Sequence, residues 1–177
     1  MCIRDRIIRD AINKDMDSVY EVVSLAFQGE ENVRDGEIIQ ERLVKELIQD
    51  NDDIVNLVAE DSVIVGHVFV SPVTLEPDLG LSCGQVSPLS VLPEYQSKGI
   101  GSSLMQAVIE KSKEKGLDAL FLLGDPKYYQ LFGFTPSNVR SAYGPSDFFQ
   151  ELEIKTNCLE SINTYVHLAP AFIRLGL

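Results

Sequence analysis

Apolar and polar positions repeat with two different periods along this chain, and the changes of period mark its elements. Ile7-Ile8-Arg9 reads as the start of a strand. Met16, Val19, Tyr20, Val23 and Phe27 then fall at three- and four-residue steps, which predicts an amphipathic helix capped by Asn13. A polar, glycine-containing break from Gln28 to Gly36 follows, and Ile39, Leu43 and Leu47 at i, i+4 and i+8 predict a second helix. Ile54–Glu60 and Val63–Val73 are rich in Val and Ile and flank Glu60-Asp61-Ser62, the pattern of a hairpin. Gly80–Leu92 is a fourth extended stretch. Pro88 inside it removes a ladder donor, so a bulge or splayed edge is expected at Ser87-Pro88.

From Gly99 the period lengthens again. Leu104, Met105, Val108, Ile109 and Ser112 form one helical face, with Gly116 after Lys115 as a left-handed stop. Ala119–Leu123 is a continuous apolar run, consistent with a strand covered on both faces. Asp125–Leu131 predicts a short helix ended by Gly133, and Phe148–Lys155 and Thr164–Leu168 are further strand candidates. No internal repeat or interdomain linker interrupts the series, so the reading is one mixed α/β domain over residues 7–177.

The first six residues are set aside. MCIRDR matches the in-frame translation of a widely used transposon sequencing adapter, which points to an assembly artefact; the other reading is a short lead-in to the first strand.

Composition narrows the function classes. A length of 177 residues suits one domain, and 45% hydrophobic with 24% charged residues is ordinary for a folded protein, which excludes disorder as the dominant state. No apolar run reaches the roughly 18 residues of a membrane helix and no leader opens the chain, so no membrane association and a cytoplasmic location are expected. The formal charge of −12 and the lack of a basic cluster argue against a nucleic-acid surface. That acidity favours a cationic partner or serves solubility alone. Cys2, Cys83 and Cys158 lie far apart with no C-x-x-C, and only His67 and His167 accompany them, so neither a metal site nor a disulfide framework is expected.

The chemistry sits between the fourth strand and the third helix, in PLSVLPEYQSKGIGSSLM, residues 88–105. Gln96-Ser97-Lys98-Gly99-Ile100-Gly101 places small residues where a strand turns into a helix. Glycines there allow close approach of a ligand, and the unpaired amides of a first helical turn attract an anion. The spacing is neither that of a P-loop nor of a dinucleotide fingerprint. Taken alone, Q-x-x-G-x-G is equally a glycine-rich helix start without a ligand.

A second segment raises the specificity. Gln96–Gly101 resembles the [QR]-x-x-G-x-[GA] pyrophosphate loop of the GNAT superfamily of acetyl-CoA-dependent N-acetyltransferases, with Val91-Leu92-Pro93-Glu94-Tyr95 as its lead. LGDPKYYQLFGF, residues 123–134, is similar to the family's later signature of an aromatic pair before G-F. That form, with YGP and PAF in the tail, looks most like the YhbS-like branch, over roughly residues 7–173. The resemblance implies a twisted, mostly antiparallel sheet flanked by helices and splayed between the fourth and fifth strands. It also implies transfer of an acetyl group from acetyl-CoA to a primary amine of a small molecule or protein, by direct attack in a ternary complex. The alternative is a degenerate acetyl-CoA sensor or regulatory module.

What the resemblance implies can be carried onto residues. The pyrophosphate falls to Gln96, Ser97, Lys98, Gly99, Ile100, Gly101 and Ser102. The pantetheine arm falls to the strand edge at Leu89, Ser90 and Val91, with the Leu89 N–H aimed at the thioester carbonyl. Tyr129, four residues before Gly133, is placed as the acid that protonates the departing thiolate, while Tyr128 and Phe132 are placed as packing aromatics. Asp125 is either near the cofactor or a helix cap. Gln85 stands where some members carry a catalytic glutamate, so water, His67 or a loop carboxylate is left as base; Ser87 is placed to orient a water. Glu30, Glu31 and Asp35 are either an acidic rim for a cationic acceptor or a solvated run, and Cys83 is read as a strand or core residue. A monomer or homodimer is expected.

Overall fold

The computed structural model describes residues 6–177. The setting-aside of the adapter-like segment therefore falls, for residues 1–5, outside the described residues. Arg6 is described, and its guanidinium donates to the Lys98 carbonyl at 2.8 Å.

The elements run in chain order as β1 (Ile7–Asp10), α1 (Met16–Ala26), β2 (Val33–Arg34), β3 (Glu37–Ile38), α2 (Ile39–Gln49), β4 (Val55–Asp61), β5 (Val63–Glu76) and β6 (Cys83–Val91). Then follow α3 (Ile100–Glu114), β7 (Ala119–Leu123), α4 (Pro126–Tyr129), β8 (Thr135–Pro136), β9 (Arg140–Ser141), β10 (Phe149–Glu153), β11 (Tyr165–His167) and α5 (Pro170–Arg174). The main sheet has the order β1-β4-β5-β6-β7-β10-β8, with β11 on the far end of β5 and β9 beside it. Pairing is antiparallel except β6 with β7 and β9 with β11.

Helices cover both faces of the sheet. On one, Leu104, Met105 and Val108 of α3 pack on Val68, Val70, Leu120 and Leu122. On the other, Val19 and Val23 of α1 and Leu43 and Leu47 of α2 pack on Val58, Phe69 and Phe172. Phe69 is fully buried, so its truncation to alanine costs about 3–5 kcal/mol. A third cluster holds Phe121 and Phe149, stacked at 5.5 Å, beside Leu75 and Val166.

Local chemistry sets several boundaries. Gly116 takes φ +81, and the Leu117 and Gly116 amides donate to the Ser112 and Lys113 carbonyls, which closes α3 in the expected left-handed stop. Asn13 does not cap α1. It lies in a short 3-10 turn, and the Asp15 carboxylate instead accepts the Ile12 N–H at 2.8 Å while Arg9 holds it from β1. The break before α2 contains a hairpin, β2–β3, around Asp35-Gly36, both at positive φ.

The fourth and fifth expected strands are β6 and β7, and they part as expected. Their parallel pairing covers only Cys83, Gly84 and Gln85 against Ala119, Leu120 and Phe121, although β6 continues to Val91. On the other side of β6, Val68 pairs with Leu89 and Val70 with Val86, so Phe69 faces both Ser87 and Pro88. That is the predicted bulge, with Ser87–Pro88 cis. Beyond it, among the described residues, the β7-facing edge of β6 carries no strand.

Candidate active site

Main-chain groups of β6 open into the gap. The Leu92 N–H donates to Val65 on β5, whereas the Val91 carbonyl accepts from Gln96 Nε2 at 3.1 Å on the opposite side. Because successive residues of a strand present their peptide groups to alternate sides, Val91 and Leu89 face the gap and Ser90 faces β5. The Ser90 side chain is buried opposite His67.

At the end of β6 the chain turns through Pro93–Tyr95 and enters α3. Ser97 and Gly99 adopt φ +61 and +84, and no side chain caps the helix. Its first internal main-chain bond is Ser103 N–H to the Gly99 carbonyl, so the amides of Ile100, Gly101 and Ser102 have no partner within the helix. The first turn contains no acid to occupy them. Two of the residues that carry them, Gly101 and Ser102, border a cavity of about 410 Å³ lined also by Leu89, Val91, Gln96, Gly99 and Tyr128, among others. A 15-residue helix pointing free amides at an open cavity is suited to an anion. Gly101 is needed for room, since a Cβ there would stand 3.0 Å from the Tyr128 hydroxyl.

Not every residue assigned to that loop lines the cavity with its side chain. Ile100 is buried in the core under α3. The Lys98 ammonium lies over the Tyr95 ring at 5.4 Å. Asp125 caps α4 through its carboxylate, which accepts the Lys127 N–H at 2.9 Å. Tyr128, assigned to packing, lines the cavity as well as meeting Phe132 edge to face.

A second cavity of about 350 Å³ lies on the other side of Leu89. Its walls include Gln85, Ser87, Pro88, Leu89, Leu123, Tyr129, Tyr143 and Phe172. Leu89 is common to both cavities. Tyr129 is held by close contacts: its ring leaves a Cβ on Gly124 only 2.4 Å of clearance and stands edge-on to Phe134. Burial, reinforced by Tyr128 and Asp125, pushes the Tyr129 phenol up to about 12, so it keeps its proton at neutral pH.

The candidate bases fare differently. His67 is sealed within the sheet, with Nε2 2.7 Å from Asn56 Oδ1, and burial pushes its pKa down to about 3. It lines neither cavity. Glu30, Glu31 and Asp35 are exposed and also stand outside both. Gln85 is buried, lines the second cavity, and has an Oε1 with no hydrogen-bond partner. Cys83 is a core residue whose thiol burial pushes up to about 12. Phe27, Leu43, Tyr143 and Phe172 were missed as cavity walls; Phe27 and Leu43 had shown only as apolar helix positions, and Tyr143 and Phe172 only within the YGP and PAF segments.

The chain is 34% identical over 73 residues to the uncharacterised N-acetyltransferase YjhQ of Escherichia coli K12, covering 41% of this chain and 40% of that one. It is 33% identical over 95 residues to YhbS of the same strain, also an uncharacterised N-acetyltransferase, covering 52% and 56%. The chain thus spans about half the length of the curated relatives it matches. The crystal structure of YhbS from Escherichia coli in complex with CoA superposes with a TM-score of 0.86 at 26% identity, over 97% of this chain and 94% of that one. A GNAT family acetyltransferase from Brucella melitensis in complex with acetyl-CoA gives 0.77 at 26% identity, over 96% and 99%. Residues 16–134, more than half of the chain, match the model of the acetyltransferase (GNAT) family, and the protein belongs to that family.

Proposed function

We propose that the protein transfers an acetyl group from acetyl-CoA to a primary amine by direct attack within a ternary complex. The observation that carries this reading is the pair of cavities meeting at Leu89 across the parted strands, one bordered by free helix amides and the other by Tyr129. The coenzyme supplies an activated acetyl group as a thioester. Main-chain amides from Gln96 to Ser102 hold its diphosphate, and the peptide groups of Leu89 and Val91 hold the pantetheine arm as an added strand.

Chemistry then falls to two groups. The Leu89 N–H donates to the carbonyl oxygen as negative charge collects on it. Tyr129 donates its proton to the departing sulfur as the C–S bond breaks and recovers one from solvent; a phenol near 12 is in the proton-bearing form at neutral pH. No side chain assigned here acts as a strong base, which agrees with an acceptor that reaches the site already neutral.

The test is thiol release from acetyl-CoA over a panel of amines. Turnover that requires both substrates supports transfer, and tight acetyl-CoA binding without turnover on any amine makes the protein a sensor instead.

A further inference from the structure

Resting on that transfer reading, we propose that Gln40 and Gln85 select a primary amine: their amide oxygens accept its two N–H bonds and leave the lone pair free to attack, and Asn32 holds Gln40 in place. Both glutamines line the inner cavity, one from α2 and the other from β6. Each keeps a buried Oε1 with no hydrogen-bond partner. Gln85 is 1% exposed, and Ser71, its register partner on β5, has a hydroxyl that makes no bond to it and lines neither cavity. Hydroxyls of Ser87, Tyr129 and Tyr143 share the wall, but none of them is both buried and unpartnered.

A buried acceptor left unpaired lowers stability, so two of them on one cavity wall favour a ligand that brings two donors. The Gln40 amide has a fixed direction. Its Nε2 donates to Asn32 Oδ1 at 2.7 Å, and the planar amide therefore offers its oxygen away from Asn32. Asn32 and Gln40 meet because the β2–β3 hairpin lies between them and folds the chain back. The last torsion of Gln85 is soft, so its Oε1 turns to an incoming donor at little cost.

A neutral primary amine has two N–H bonds and one lone pair. With both bonds accepted, the lone pair is left for the thioester carbon, and the C–N bond forms as the C–S bond breaks. Tyr129 gives a proton to sulfur and recovers one from solvent, and the acylated nitrogen releases one to solvent, so the protons balance. An N-methyl amine has a single N–H and leaves one amide oxygen unpaired beside a methyl group. Leu177, the last described residue, also lines this cavity and the outer chamber of about 660 Å³ that holds Glu76 and His167. Groups there bear on where the amine's proton goes; the glutamines bear on where its nitrogen sits.

The experiment compares benzylamine, tyramine and 1,4-diaminobutane with their N-methyl counterparts, using the full chain and acetyl-CoA, with coenzyme binding measured by calorimetry. In the parent, N-methylation should lower kcat/KM about tenfold beyond its effect on the uncatalysed reaction. That extra penalty should shrink to about twofold or less in Gln40→Met, Gln85→Met and Asn32→Leu, through a loss of primary-amine kcat at unchanged acetyl-CoA affinity. Asn32→Asp, which still accepts from Gln40 Nε2, should retain the penalty; its behaving as Asn32→Leu does overturns the positioning role of Asn32. No extra penalty in the parent, or one that persists in both glutamine variants, overturns the pair and leaves acetyl transfer standing. Persistence would move the N–H bonds to other groups on the wall, the Leu177 main chain among them. Acetyl-CoA binding with no turnover of any amine overturns the transfer reading and this one with it.

Discussion

Tyr128 and Tyr129 are neighbours whose rings meet edge to face at 4.9 Å, yet they line different cavities. One helical turn sends the first toward the free amides of α3 and the second toward Gln85 and Leu89. Their substitutions should therefore separate binding from chemistry. Tyr129→Phe is expected to lower kcat about 100-fold with coenzyme affinity within a factor of two, as read by steady-state kinetics and calorimetry. Tyr128→Phe should leave kcat nearly unchanged.

The Tyr129 phenol, raised to about 12, also makes a pH prediction. Its folded value lies above the ordinary value near 10, so the proton-bearing form persists through pH 10. No falling limb from this group should enter the kcat profile between pH 7 and 10. A limb in that range that disappears in Tyr129→Phe would contradict the raised phenol value.

The left-handed Gly99 and the crowded Gly101 shape the loop in different ways. Gly101→Glu places both bulk and negative charge at the amides, and coenzyme affinity should fall at least 100-fold while the melting temperature shifts little. Unchanged affinity in a folded variant would remove the anion site.

How much of this was legible beforehand depended on whether the signal was local. The period of Leu104, Met105 and Val108, the Gly116 stop and the proline bulge are each written within a few residues, and each was readable. The Asp35-Gly36 turn was equally local but was passed over as a polar break. The second cavity was not readable because Phe27, Leu43, Gln85, Tyr143 and Phe172 come from five separated segments that only the sheet brings together. Nor could sequence tell which of two adjacent tyrosines faces which cavity. His67 kept its standing as a base only until its burial beside Asn56 was known.

Leu89 offers a sharper test of the reacting centre. Its N–H faces the gap rather than β5, so proline at 89 removes that donor without breaking a ladder bond of the sheet. Leu89→Pro should reduce kcat by about 100-fold, the scale expected for one lost oxyanion donor. Circular dichroism would verify the fold.

Stability has its own pH signature. Arg9 grips Asp15 through two nitrogens at 2.7 and 3.0 Å, and that pairing pulls the Asp15 carboxyl down to about 2. A folded value below the unfolded one near 3.9 stabilises the protein fully at neutral pH, and the contribution fades as pH falls from about 4 to 2. Asp15→Asn should lower the melting temperature by roughly 5 °C at pH 7, with the difference from the parent shrinking toward pH 2.

The most direct measurement is a crystal structure of this chain with coenzyme A. The diphosphate should lie within hydrogen-bonding distance of the main-chain amides between Gln96 and Ser102, with the pantetheine arm beside Leu89 and Val91 and its sulfur between Leu89 and Tyr129. An empty groove at saturating coenzyme, or a diphosphate bound elsewhere on the molecule, would contradict the assignment.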